Sequence, residues 1–178
     1  MSNITFRDLK ADEIEVRVQS INEKGAILLL YKDARCDMNI LDETLSVCGW
    51  QRSHTRDNMN CIVSIWDNEK NQWISKEDTG TQSNTEKEKG LASDSFKRAC
   101  FNFGIGRELY TAPFIYVSAS KIQTYQKNNK TTTYDKFSVE KIKIENKKIV
   151  GLAIKNNRNE RVFVYAEQPK KEDKQWTK

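Results

Sequence analysis

Hydrophobic and polar positions alternate along much of this chain, and elsewhere they recur at steps of three and four. Ile14–Ser20 sets Ile14, Val16 and Val18 against Glu15, Arg17 and Gln19, the two-residue period of an extended segment. Glu23-Lys24-Gly25 reads as a turn, and the apolar run Ala26–Tyr31 suits a buried strand. Lys32–Val47 changes period: Ala34, Met38, Leu41 and Leu45 make one helical face, with Arg35 and Asp42 off it and Gly49-Trp50 as its end. Trp50–Arg56 alternates again, with Trp50, Arg52, His54 and Arg56 on one face. After a turn at Asp57-Asn58, Asn60–Trp66 and Gln72–Asp78 form a hairpin joined by DNEKN, across which Trp66 and Trp73 are expected to pack. Residues 1–13 are polar and predict a loose lead-in.

Thr85–Tyr110 is the longest helical pattern. Ala92, Phe96, Ala99 and Phe103 share one face, flanked by Leu91 and Cys100. Thr85 and Glu88 fit a capping box at its start, and Gly104 can stop it in a left-handed turn. The opposite face carries Lys87, Asp94, Lys97, Arg98 and Phe101, and Asp94 and Arg98 have the spacing of a surface ion pair. Two readings of this face stand side by side: a solvated charged surface, or a phosphate-binding surface centred on Lys97 and Arg98. Phe101 favours the second, because a large ring among cations calls for a partner, either another subunit or a base.

Pro113 breaks the chain, and Phe114–Ser118 reads as a further strand. Ala119–Thr133 is poor in apolar residues and holds three lysines, as expected of a mobile basic loop or an extended hairpin tip. Phe137–Ile144, Ile149–Lys155 and Arg161–Tyr165 form an antiparallel meander with turns at ENKK and NNRNE. The apolar parity shifts between Val139 and Ile142, which predicts a bulge. Residues 168–178 are polar and are expected to be disordered. The pattern as a whole is α+β: residues 1–118 as a core, 119–167 completing the same domain, then the tail.

Composition narrows the chemistry. A hydrophobic share of 37% with 31% charged residues suits a chain that buries a core, and no apolar run reaches the length of a membrane span. MSNITFRDLK has no apolar signal region, so the cytoplasm is the expected compartment. Cysteines 36, 48, 61 and 100 lack metal-ligand spacing and are expected as reduced, mostly buried thiols. The net charge of +5 is uneven: residues 1–120 hold 15 Lys+Arg against 18 Asp+Glu, and residues 121–178 hold 15 against 7, or −3 and +8. A basic excess favours a polyanionic partner.

Enzyme chemistry finds little footing. Gly104-Ile105-Gly106 lacks the spacing of a nucleotide-binding loop, and His54 has no partner pattern for a triad. A metal-dependent nuclease would need converging carboxylates, but Glu77 and Asp78 are adjacent in a strand and point to opposite faces. Neither a cofactor nor a metal is expected. Binding of single-stranded nucleic acid fits better: Arg17, Arg35, Arg52, Arg56, Lys97, Arg98 and Arg107 could line a groove that follows phosphates without reading sequence. Each has a structural alternative, such as pairing of Arg35 or Arg52 with near neighbours, or bracing of the GIGRELY turn by Arg107 through carbonyls.

Three pieces occur in order: WISKEDTG (73–80), KGLASDSFKRA (89–99) and FGIGRELY (103–110). Together they resemble the signature of single-strand annealing proteins, in the superfamily that includes the eukaryotic Rad-fifty-two repair protein and the phage Sak recombinases. ILDETLSVCGW (40–50) resembles the close of the segment before that family's central sheet. The similarity runs from about Ile14 to Val117 and is nearer the phage and bacterial Sak-type branch. It implies an antiparallel β-β-β-α core, a three-stranded sheet crossed by a long helix, here with an added C-terminal meander. It also implies a homo-oligomeric ring or helical filament that anneals single-stranded DNA without ATP, in recombination and repair, and it assigns Lys97 a DNA contact. A passive single-strand binder without annealing is the nearest alternative. For the Lys121–Lys130 loop three roles stay open: binding DNA, touching a neighbouring subunit, or recruiting a single-strand-binding protein.

Overall fold

The computed structural model of the chain describes residues 4–81 and 87–167. In chain order its regular elements are β1 (Ile14–Asn22), β2 (Gly25–Lys32), α1 (Ala34–Leu45), β3 (Trp50–Thr55), β4 (Asn60–Asp67), β5 (Gln72–Thr79), α2 (Lys87–Asn102), β6 (Ile115–Ser118), β7 (Thr124–Lys127), β8 (Lys130–Thr133), β9 (Phe137–Glu145), β10 (Lys148–Asn156) and β11 (Arg161–Ala166). The class is α+β, with sheets that are mostly antiparallel. The chain divides into two compact units, Met1–Glu15 with Leu30–Thr111, and Val16–Leu29 with Ala112–Lys178.

The first unit is built on the sheet β3-β4-β5. Strand β4 lies in the middle and turns Cys61, Val63 and Ile65 inward, all buried. Helix α2 packs on this face and seats Phe96, Ala99 and Cys100 there with no exposure. The cause is the spacing read above: steps of three and four keep these side chains on one stripe. Trp50 lies against Phe96 with ring centroids 6.0 Å apart, and its indole N–H donates to Asp42 on α1 at 2.6 Å. That bond joins the end of α1 to the start of β3. Trp66 and Trp73 pack edge-on across the β4–β5 hairpin at 5.4 Å, as expected. Gly104 has φ +95°, a region that opposes a side chain, and α2 ends two residues before it. The expected capping box of Thr85 and Glu88, and Lys87 on the polar face, lie outside the residues described at that level.

Two expectations for this unit need correction. The lead-in is not loose from residue 4 onward: Phe6 and Leu9 are buried, the Leu9 N–H donates to Glu108 at 2.7 Å, and Arg7 bridges Glu13 and Glu43. Two isolated apolar residues carry no period, so the sequence pattern passes over them. Helix α1 also presents a different face. Cys36, Asp37, Ile40 and Leu41 are buried, whereas Ala34, Met38 and Leu45 are only partly covered. The rotation follows from a buried ion pair, in which the Lys32 ammonium donates to Asp37. Burial pushes the Asp37 carboxyl up to about 6, although Lys32 pulls it down. The left-handed Gly106 (φ +68°) lies where a side chain would collide with the Lys32 stem.

The second unit rests on a six-stranded sheet of order β11-β10-β9-β1-β2-β6. Its outermost strands, β6 and β11, come back into contact, so the sheet curls toward a barrel. Ile115, Val117, Val139, Ile149, Leu152 and Ile154 fill its inside. The meander forms where alternation placed it. Opposite Ala153 stands Lys141, and opposite Ile154 stands Val139, so Glu140 is the extra residue of the expected bulge. The basic segment is ordered as the hairpin β7–β8. The expected tail, 168–178, lies outside the described residues.

Candidate nucleic-acid interface

Lys97 and Arg98 of α2 do not share one open face. Arg98 turns toward β5, where its Nε donates to Asp78 at 3.2 Å and Asn102 donates to the same carboxylate at 3.1 Å. Lys97 is half-buried on another side of the helix; its Nζ stands 3.9 Å from Asp94, and it favours the charged forms of Asp33 and Asp37. The expected Asp94–Arg98 pair is therefore corrected. Asp94 accepts instead from the backbone and hydroxyl of Thr81, at 3.0 and 3.2 Å. The reason is tertiary: β5 runs beside α2 and supplies Arg98 with a nearer acid than the one four residues back.

Arg107 and Lys76 gather at the C-terminal end of α2. The Arg107 guanidinium donates to the carbonyls of Phe101 and Asn102, each at 3.1 Å, and the Lys76 ammonium donates to the Asn102 carbonyl at 2.7 Å. The Phe101 carbonyl also accepts from the Gly104 N–H at 2.9 Å, and these last-turn carbonyls carry the negative end of the helix dipole, so two cations there are well placed. The bracing role weighed for Arg107 is the geometry observed. Phe101 is corrected as a signal. Its ring rests 4.1 Å from that of Tyr110, with Arg107 5.7 Å above it, so it has partners within its own chain. Tyr110 is the ring that faces outward, at 70% exposure.

Arg52 is exposed on β3 and lies over the Phe96 ring at 4.7 Å. Arg56 falls one residue past the strand, at φ +52° in a run of three left-handed residues, so it leaves the face shared by Trp50, Arg52 and His54. Arg35 projects from the first turn of α1 and pairs with Asp33 at 2.9 Å. Arg17 is exposed on β1, in the second unit. His54 sits on the α2 side of the sheet, and burial, with Arg52 nearby, lowers its pKa.

This arrangement sorts the cations by what holds them. Arg107 and Lys76 are committed to backbone carbonyls. Arg35, Lys97 and Arg98 face carboxylates in exposed or half-exposed pairs, which are worth only about 0–1 kcal/mol. Phosphate oxygens accept the same charge-assisted hydrogen bonds, so these three can exchange a carboxylate for a phosphate at small cost. Arg52 and Arg56 are exposed and occur in no ion pair among the described residues. A pocket of about 430 Å³ in the same unit, lined by Leu45, Cys48, Gly49 and Trp66 among others, contains none of the seven candidates. Among the described residues no three His, Cys, Asp or Glu side chains gather as a metal site would require. Among the described residues no helix is long and apolar enough to cross a membrane.

The motif pieces themselves meet in space. Asp78 of WISKEDTG holds Arg98 and Asn102, Lys76 of the same piece caps α2, and Glu108 of FGIGRELY anchors the lead-in. Lys76 and Tyr110 were not singled out from the sequence; Lys76 alternates with Ile74 and Asp78 on β5, which was the available signal. Tyr125 and Tyr134 were likewise passed over, although strand parity puts them on one side of the hairpin. No protein-family model, curated protein or solved structure matches the chain.

Proposed function

We propose that this chain is an ATP-independent single-stranded DNA-binding and annealing protein that works as a ring or helical filament, in the manner of the Sak-type branch of the Rad-fifty-two superfamily. The observation that carries the reading is the ordered set WISKEDTG, KGLASDSFKRA and FGIGRELY, whose residues interlock β5, α2 and the turn Arg107–Thr111. The exposed and weakly paired cations of that unit, Arg35, Arg52, Arg56, Lys97 and Arg98, supply phosphate contacts. Such contacts leave base edges open for a complementary strand, as annealing requires. Repetition over an assembly adds many weak grips into a strong one. The finer β-β-β-α family core and the oligomer belong to this proposal.

Complementary oligonucleotides mixed with the protein, with and without Mg²⁺ and without ATP, test it. Faster duplex formation in both conditions is expected. Binding without acceleration would leave a passive binder, and shortened oligonucleotides in Mg²⁺ would point to a nuclease; either overturns the annealing reading.

A further inference from the structure

The hairpin β7–β8 carries one face that its own fold does not explain. Tyr125 pairs in register with Thr132, and Lys127 with Lys130. The two-residue period then places Tyr125, Lys127, Lys130, Thr132 and Tyr134 on the same side. Asn128 and Asn129 both have positive φ, the turn that fixes a two-residue hairpin in this register. Tyr125 and Tyr134 are stacked, with centroids 4.0 Å apart and planes within 10°. Tyr134 is nonetheless 75% exposed, so the stack ends in an aromatic ring open to water. Lys127 and Lys130 are exposed, stand directly opposite each other, and have no carboxylate partner among the described residues. Like charges so placed weaken a hairpin.

The base of the hairpin is held firmly by other means. Asp135 is buried, accepts from the Gln123 N–H at 2.9 Å and pairs with Arg158, while the Thr133 hydroxyl donates to the Gln123 carbonyl at 2.6 Å. The stacked rings and facing lysines are thus presented on an anchored support. The lysine pair is about 13 Å from Tyr134, four residues of strand at ~3.3 Å each. That is the reach of a few nucleotides.

We infer that this face is a docking site for single-stranded nucleic acid, with a base continuing the Tyr125–Tyr134 stack and phosphates meeting Lys127 and Lys130. Any base has a flat ring to offer, so the contact tolerates every sequence. The inference rests on the single-strand reading above and adds to it a second contact region, in the other unit of the chain.

The test uses the full chain, with labelled oligo-dT and an abasic oligonucleotide of equal length as probes. Tyr134→Ala is expected to bind oligo-dT about tenfold more weakly, the usual effect of losing one stacked base. Tyr134→Trp is expected to restore it, and the abasic probe to bind Tyr134→Ala and the parent alike. Replacing Lys127 and Lys130 together by Gln is expected to reduce the salt slope of log affinity by about 1.4, at ~0.7 per phosphate contact. If the parent itself does not hold oligo-dT, this inference and the annealing proposal both fall. If the parent binds and Tyr134→Ala binds equally well, the hairpin site alone is wrong. Unchanged binding with an altered particle size in light scattering would assign the hairpin to contacts between copies, and also overturn it.

Discussion

Phe96 and Lys97 are neighbours in sequence, and the helix sends them into opposite circumstances. Phe96 is fully buried against Trp50 and the Arg52 guanidinium of β3, and Lys97 is half-exposed beside Asp94. Truncating Phe96 to Ala empties a packed site and is expected to cost about 3–5 kcal/mol. Truncating Lys97 removes a weak pair and is expected to change stability by no more than about 1 kcal/mol. Function should divide the other way. Lys97→Ala is expected to keep its fold and lose most annealing, because each subunit along a bound strand repeats the missing contact. Melting temperature beside annealing rate, for both variants, checks this. A Lys97→Ala protein that anneals like the parent, or melts as early as Phe96→Ala, contradicts the DNA role.

Helix α1 offers a test at the next scale. Its N-cap is Asp33, whose carboxylate accepts from the Arg35 N–H at 2.7 Å and from the Arg35 side chain. The side-chain bond first, and the backbone bond second, hold the Asp33 pKa down at about 2, below the ordinary 3.8. A depressed carboxylate pKa stabilises the fold above 3.8 and loses that effect as pH falls toward 2. Asp33→Ala is therefore expected to cost about 1 kcal/mol near neutrality. The gap to the parent should narrow between pH 4 and 2, as read from urea midpoints. A gap independent of pH would mean that the charge does not provide the cap. Elements of this kind were largely legible in the sequence. Strands, turns and even the Glu140 bulge follow from a period of two, which short-range geometry enforces. The buried face of α1 was not, because Asp37 enters the interior only by meeting Lys32, and no periodicity scores an ion pair as apolar. The candidate site was legible as a list of cations and illegible as a surface. The Arg107 brace is local and could be anticipated, but the hold of Asp78 on Arg98 spans 20 residues and depends on strand β5 lying beside α2.

The proposed assembly has a direct measurement. Strands β3 and β5 form the two edges of the first unit's sheet, and an unpaired edge is a ready surface for a neighbouring chain. Light scattering is expected to give a particle many times the monomer mass, with or without oligo-dT. A monomer at micromolar concentration in both conditions contradicts the ring or filament. The division of the chain bears on how such a protein comes into being. The hairpin β1–β2 is made early, yet its partners β6 and β9 lie at Ile115–Ser118 and Phe137–Glu145. At a synthesis rate of about 5–20 residues per second, roughly 4–17 s separate the end of β2 from the arrival of β6. For that interval Ala26 and Leu28, buried in the folded chain, lack their register partners Val117 and Ile115. Ribosome pace and chaperone supply therefore bear on the yield of this protein.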